Sequence, residues 1–124
     1  MTNLRRFPRI PFTDAGELEV PVRRSDPHAG SQRLAVHFRT ISCQGASLAL
    51  GHGDALRVIP GAEVQLCFRA GERAIQLPAR VVWTAGSLAG LRLRVNQADD
   101  DTRRAYADWI VPLTNEAIAQ SNPV

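Results

Sequence analysis

Two short stretches hold the residue types that can do chemistry. Arg5-Arg6-Phe7-Pro8-Arg9 is an RxxxR with a third Arg inside it. Thr40-Ile41-Ser42-Cys43-Gln44-Gly45 is a TxSxxG. A guanidinium is a planar, permanently charged fork that pairs in bidentate fashion with phosphate or with the O6/N7 edge of guanine, and it stacks on ring faces. A serine hydroxyl donates and accepts, and glycine permits a tight turn or a close approach of backbone to ligand. Pro8 and Pro11 stiffen the arginine-bearing arm, which lowers the entropy lost when it closes over a ligand. The chemistry on offer is recognition of an anion.

The rest of the composition narrows the partner. All 15 basic residues are Arg, against 12 acids, for a net charge of +3. The first nine residues hold three Arg and no acid, and residues 33–94 hold eight Arg against Asp54, Glu63 and Glu72. Residues 95–124 reverse the sign, with Arg103 and Arg104 against five acids. So mild an excess argues against duplex DNA and leaves a nucleotide or an acidic surface. A barrel for single-stranded nucleic acid would need exposed aromatics, but Phe38, Phe68, Tyr106 and Trp109, four of the seven, sit on apolar stripes. Cys43 and Cys67 have no metal-like spacing to His28, His37 or His52, so reduced, half-buried thiols and no metal or cofactor are expected. No nucleophile–base set and no phosphate-binding glycine loop leading into a helix is present, so no enzyme is expected. The apolar runs are too short to insert in a membrane. Arg5, Arg6 and Arg9 are followed by Pro8, Pro11 and Asp14 rather than by a signal-peptide core, so the expected location is the cytoplasm.

The elements that must position these residues are mostly strands. Leu18, Val20 and Val22 alternate with polar neighbours, as do Leu34, Val36 and Phe38, then Val64, Leu66 and Phe68, and finally Leu91, Leu93 and Val95. Leu77, Ala79, Val81 and Trp83 share one face of a further run. Turn signals at 27–30, 51–53, Pro60-Gly61, Gly71 and 86–90 separate the runs, which predicts a small antiparallel barrel or sandwich in one domain. The period then changes. Tyr106, Trp109, Ile110 and Leu113 fall on one helical face, Asp99–Asp101 suit its positive N-terminal end, and Pro112 predicts an end or a kink.

The two motifs, in this order on an all-β chain of this length, resemble the PilZ domain, the bacterial receptor module for cyclic di-GMP. That family has RxxxR before its first strand and [DN]xSxxG in the barrel. Gly45–Leu48 continues the second motif as a strand, Pro60–Leu66 looks like the family's glycine turn and next strand, and Arg80–Trp83 and Gly90–Leu93 look like its last two strands. The resemblance spans residues 4–110 and implies a six-stranded antiparallel β-barrel with a C-terminal α-helix. The expected organisation is a flexible basic arm at 1–12, the barrel at 13–98 and the helix at 99–119.

The resemblance also implies cyclic di-GMP as ligand. It gives the key contacts to Arg5 and Arg9, with Arg6 assisting, and a ligand surface to Ser42, Gly45 and Ser47. Thr40 departs from the pattern: Asp or Asn accepts guanine N1–H and N2–H side by side, and one hydroxyl does not. Trp83 has two readings, a core residue by its alternation face or a ring at a strand end that shelters the ligand. Leu4 adds no further guanidinium, which favours one ligand copy. Two functions stay open. One is a receptor, monomer or weak dimer, that closes its arm over the dinucleotide and signals to an unidentified protein partner in trans. The other is a degenerate PilZ-like adaptor that binds only protein.

Overall fold

The computed structural model describes residues 8–21 and 30–121. Its strands are β1 (Ile10–Pro11), β2 (Ala15–Pro21), β3 (Ser31–Ile41), β4 (Gly45–Leu50), β5 (Glu63–Ala70), β6 (Arg73–Ala85) and β7 (Leu88–Leu93), followed by helix α1 (Asp100–Ser121). Strand order is β1-β3-β2-β5-β6-β7-β4, and a β3–β4 pairing closes the ring. Six strands therefore form a closed antiparallel barrel, and β1 is an extra short strand laid on β3. Closure leaves the barrel few free strand edges, which a small all-β domain must otherwise protect.

Alternation writes the barrel interior. In β3, Leu34, Val36 and Phe38 are buried between exposed Arg33, Ala35, His37 and Arg39. The same period buries Leu18 and Val20, Val64, Leu66 and Phe68, and Leu77, Ala79 and Val81. Gly71 and Gly86, at φ 67° and 59°, turn β5 into β6 and β6 into β7 in a conformation that disfavours a side chain.

Two one-residue irregularities break the alternation. β3 shifts register against β4 between Phe38 and Thr40, so Arg39 and Thr40 both leave the interior and the next buried residue is Ile41. β6 shifts against β7 between Val81 and Trp83, so Val82 and Trp83 both face outward. A bulge inserts one unpaired residue and re-aims the side chains beyond it. That is why Trp83 is 38% exposed and not in the core, although its sequence parity matches Val81.

Helix α1 lies across one end of the barrel and buries Ala105, Tyr106 and Ile110. It runs through Pro112, where the sequence predicts an end or a kink. Pro112 is exposed, as is Asp108, whose carbonyl loses its partner. That carbonyl lies on the solvent-facing side, and Ile110 and Thr114 hold the helix on either side of the proline. Asp99 caps the first turn, its Oδ1 accepting from Thr102 N–H at 2.8 Å, which lowers its carboxyl pKa.

An aromatic cluster joins the helix to the start of the barrel. Phe12 meets Phe38 at 4.9 Å and Trp109 at 5.2 Å between ring centroids, and Phe38 meets Phe68 at 5.1 Å. Residues 10–12, which the sequence assigns to the arm, thus form a paired strand and an aromatic anchor. Phe12→Ala is expected to cost about 3 kcal/mol, the low end for a large aromatic since the ring is only partly buried. Urea unfolding measures it, and an unchanged midpoint would mean that the cluster does not anchor β1.

Candidate functional site

The site is built on β3, β4 and the turn between them. β1 pairs antiparallel with β3, Ile10 opposite Ile41 and Pro11 opposite Thr40. The chain leading into β1 therefore emerges beside the Ser42 turn, with exposed Arg9 one residue beyond the Ile10–Ile41 pair. The two motifs, thirty residues apart in sequence, meet through this short strand. Arg5 and Arg6 lie outside the described residues.

Four residues from four adjacent strands form one row on the outer face. Thr40 of β3 is opposite Ser47 of β4, Ser47 is opposite Gly90 of β7, and Gly90 is opposite Trp83 of β6. The Thr40 and Ser47 hydroxyls share a hydrogen bond of 2.7 Å. Gly90 is the seat of the Trp83 ring, since a Cβ at this position would overlap the indole. Both bulges border this row, and without them neither Thr40 nor Trp83 would face outward. The row offers two hydroxyls at one end and an aromatic ring at the other. Arg39 is exposed beside it, and Arg92 occupies the next outward position along β7.

Ser42 differs in placement from the other motif residues. It is 8% exposed, and its Oγ accepts from Gly45 N–H at 3.0 Å and Gln44 N–H at 3.3 Å. Its N–H donates to Gly45 O at 2.8 Å. The hydroxyl is spent on the turn rather than offered to solvent, a local side-chain-to-backbone arrangement of the kind serine favours. Gly45 is half-buried opposite Arg92, and a Cβ there would press on Leu91 O at 3.0 Å. Ser42 and Gly45 thus shape the turn, while Thr40, Ser47 and Trp83 present the surface.

The helix secures this turn. Tyr106 Oη donates to Ser42 O at 2.5 Å. Thr114 Oγ1 donates to Ile110 O at 2.7 Å and lies 3.5 Å from Cys43 Sγ, so the thiol is the donor in that contact. Tyr106 is 1% exposed, and burial, with a smaller effect of Cys43, pushes its hydroxyl well above the ordinary tyrosine range. The sequence places Tyr106 on the buried helix face but carries no sign of its partner. Gly90 as a ring seat and the outward Thr40 are also invisible in sequence, because both depend on bulges.

The described residues include no cluster of three or more His, Cys, Asp or Glu able to hold a metal, and no helix long and apolar enough to cross a membrane. Both cysteines are free and half-buried.

The structure is a closed six-stranded barrel with its helix folded onto a motif-bearing turn and a hydroxyl-to-indole row on its outer face. Residues 3–111 match the PilZ domain model, and the chain belongs to the PilZ domain family. Solved structures agree on the fold. The PilZ domain of CeSA from a cellulose-synthesizing bacterium is 15% identical with a TM-score of 0.63, covering 86% of this chain and 97% of that one. The PilZ domain of YcgR from Escherichia coli, solved with c-di-GMP, is 14% identical with a TM-score of 0.65, covering 98% and 100%. No curated protein matches the chain in sequence.

This geometry has two measurable outcomes. The raised Tyr106 pKa means that its neutral form is favoured in the folded state, so its contribution is complete below the unfolded pKa of about 10 and is lost as pH rises above it. Tyr106 is the chain's one tyrosine, so near-ultraviolet tyrosinate absorbance should appear only as the protein unfolds in alkali. Tyr106→Phe should remove that part of the alkaline sensitivity and cost about 1–3 kcal/mol at neutral pH, by leaving a buried carbonyl short of a donor. Gly90→Ala should unseat Trp83, read as a red-shifted, more quenchable Trp83 fluorescence in a Trp109→Phe background. Unchanged emission would mean that the ring does not rest on Gly90.

Proposed function

We propose that this chain is a receptor for cyclic di-GMP, closing Arg5, Arg6 and Arg9 over the dinucleotide and signalling to a partner protein in trans. The observation that supports this most is the pairing of β1 with β3, which brings the end of the RxxxR stretch beside the turn of the second motif. A ligand with two phosphates and two guanines needs both guanidinium forks and a platform. The Thr40–Ser47–Gly90–Trp83 row is such a platform, with an indole on which a guanine can stack. The c-di-GMP held by the related YcgR domain points to the same ligand. Ser42 and Gly45 act by holding the turn, and Thr40, Ser47 and Trp83 by contact. No catalytic step is part of this reading, and the ligand is a signal rather than a cofactor.

One observation favours the adaptor reading. Thr40 stands where the family pattern has Asp or Asn, and its single hydroxyl already pairs with Ser47. Calorimetry with cyclic di-GMP at about 150 mM salt, where exposed charges are screened beyond roughly 8 Å, separates the two. The receptor predicts saturable binding that GMP and cyclic di-AMP do not reproduce and that Arg5→Ala/Arg9→Ala abolishes. Thr40→Asp should tighten it roughly 10- to 100-fold by restoring an acceptor for two guanine N–H groups. Absence of binding in both the wild type and Thr40→Asp would leave the adaptor.

A further inference from the structure

The next outward row along the barrel has a different character. Gly45 of β4 is opposite Arg92 of β7, Arg92 is opposite Arg80 of β6, and Arg80 is opposite Glu63 of β5. Two arginines directly across a sheet repel each other. Among the described residues neither Arg80 nor Arg92 has a carboxylate within ion-pair distance. Arg94 joins them from the end of β7. Its Nη2 pairs with Glu63 at 3.1 Å, while its Nε is buried with no hydrogen-bond acceptor. The three guanidinium-bearing residues line one open cleft of about 670 Å³, together with Gln44, Asn96 and Gln97. Glu63 is the one carboxylate paired there, so the cleft keeps an excess of two positive charges.

We infer that this cleft is an anion site that takes a phosphate group. A like-charged cross-strand pair weakens the empty protein and is relieved when an anion enters. The geometry favours phosphate over a carboxylate side chain. A carboxylate is planar and is satisfied by one guanidinium fork, whereas a tetrahedral phosphate accepts forks from several directions. The cleft volume falls within the range of small-molecule sites. The cleft borders the Trp83 row, and Gln44 belongs to both the motif turn and the cleft. The phosphate could therefore come from the dinucleotide itself or from a separate phosphoanion, and the inference stands on the cleft whichever it is.

The test compares wild type with Arg80→Gln/Arg92→Gln, which removes both charges and keeps hydrogen-bonding capacity. Melting temperature and calorimetry are read with inorganic pyrophosphate, GMP and cyclic di-GMP, with sodium chloride at matched ionic strength as control. The ligand-free variant is expected to melt no lower than wild type, because a repulsive pair is gone. The inference expects at least one phosphate probe to raise the wild-type melting temperature by several degrees, and the variant to lose roughly ten-fold or more in affinity for it. Loss for cyclic di-GMP identifies the dinucleotide's own phosphate. Loss for pyrophosphate or GMP, with cyclic di-GMP unchanged, identifies a separate phosphoanion. Pyrophosphate binding that the variant loses, in a wild type that ignores cyclic di-GMP, would support this cleft while removing the receptor reading. Equal responses of wild type and variant to all three probes would overturn the inference, as would a glutamate hexapeptide that binds the cleft when no phosphate probe does.

Discussion

The hydrogen bond from Tyr106 Oη to Ser42 O, 2.5 Å long and sealed from solvent, holds the molecule's functional half together. It spans 64 residues and joins the second turn of the C-terminal helix to the turn that carries the second motif. The phenol stays neutral because burial disfavours its charged form, so it stays a donor. Around it, the Cys43–Thr114 contact and the Phe12–Phe38–Phe68–Trp109 rings complete a plug at one end of the barrel. The helix is therefore a brace for the motif turn, and the same brace grips the chain just after the arginine arm.

The outer face depends on this brace together with two inserted residues. A barrel wall made of strict alternation would carry Trp83 inward and would not place Thr40 beside Ser47. Each bulge costs one unpaired residue in the ladder, and together they line up hydroxyls and an indole across four strands. Because those strands belong to a closed sheet, the row rests on rigid elements.

Much of this was legible in residue types. Period-two alternation in 34–38, 64–68 and 77–81 located three walls of the barrel, and Tyr106, Trp109 and Ile110 located the buried helix face. The two motifs led to the PilZ family. What escaped was whatever depends on register. The parity of Trp83 pointed to the core, and only a bulge at Val82 reverses it. The hydroxyl of Ser42 suggested a ligand contact, yet it closes its own turn. Pro112 signalled a helix end or a kink, and packing on either side of an exposed proline carried the helix through. For Trp83 and Pro112 a local preference gave way to a tertiary arrangement that a linear pattern does not encode.

The β1 strand sets the length of a leash. Arg5 is five residues before Ile10, and Ile10 is fixed opposite Ile41. Even a fully extended chain covers at most about 3.6 Å per residue, so Arg5 is confined to within roughly 18 Å of that anchor. For the proposed receptor, a tether of that length would present the arginines to the barrel face at an effective concentration of the order of millimolar. In that proposed site each guanidinium would need only a weak intrinsic attraction to the dinucleotide, since two surfaces together can hold what neither would hold alone. Lengthening the tether would dilute that advantage while leaving every contact residue unchanged.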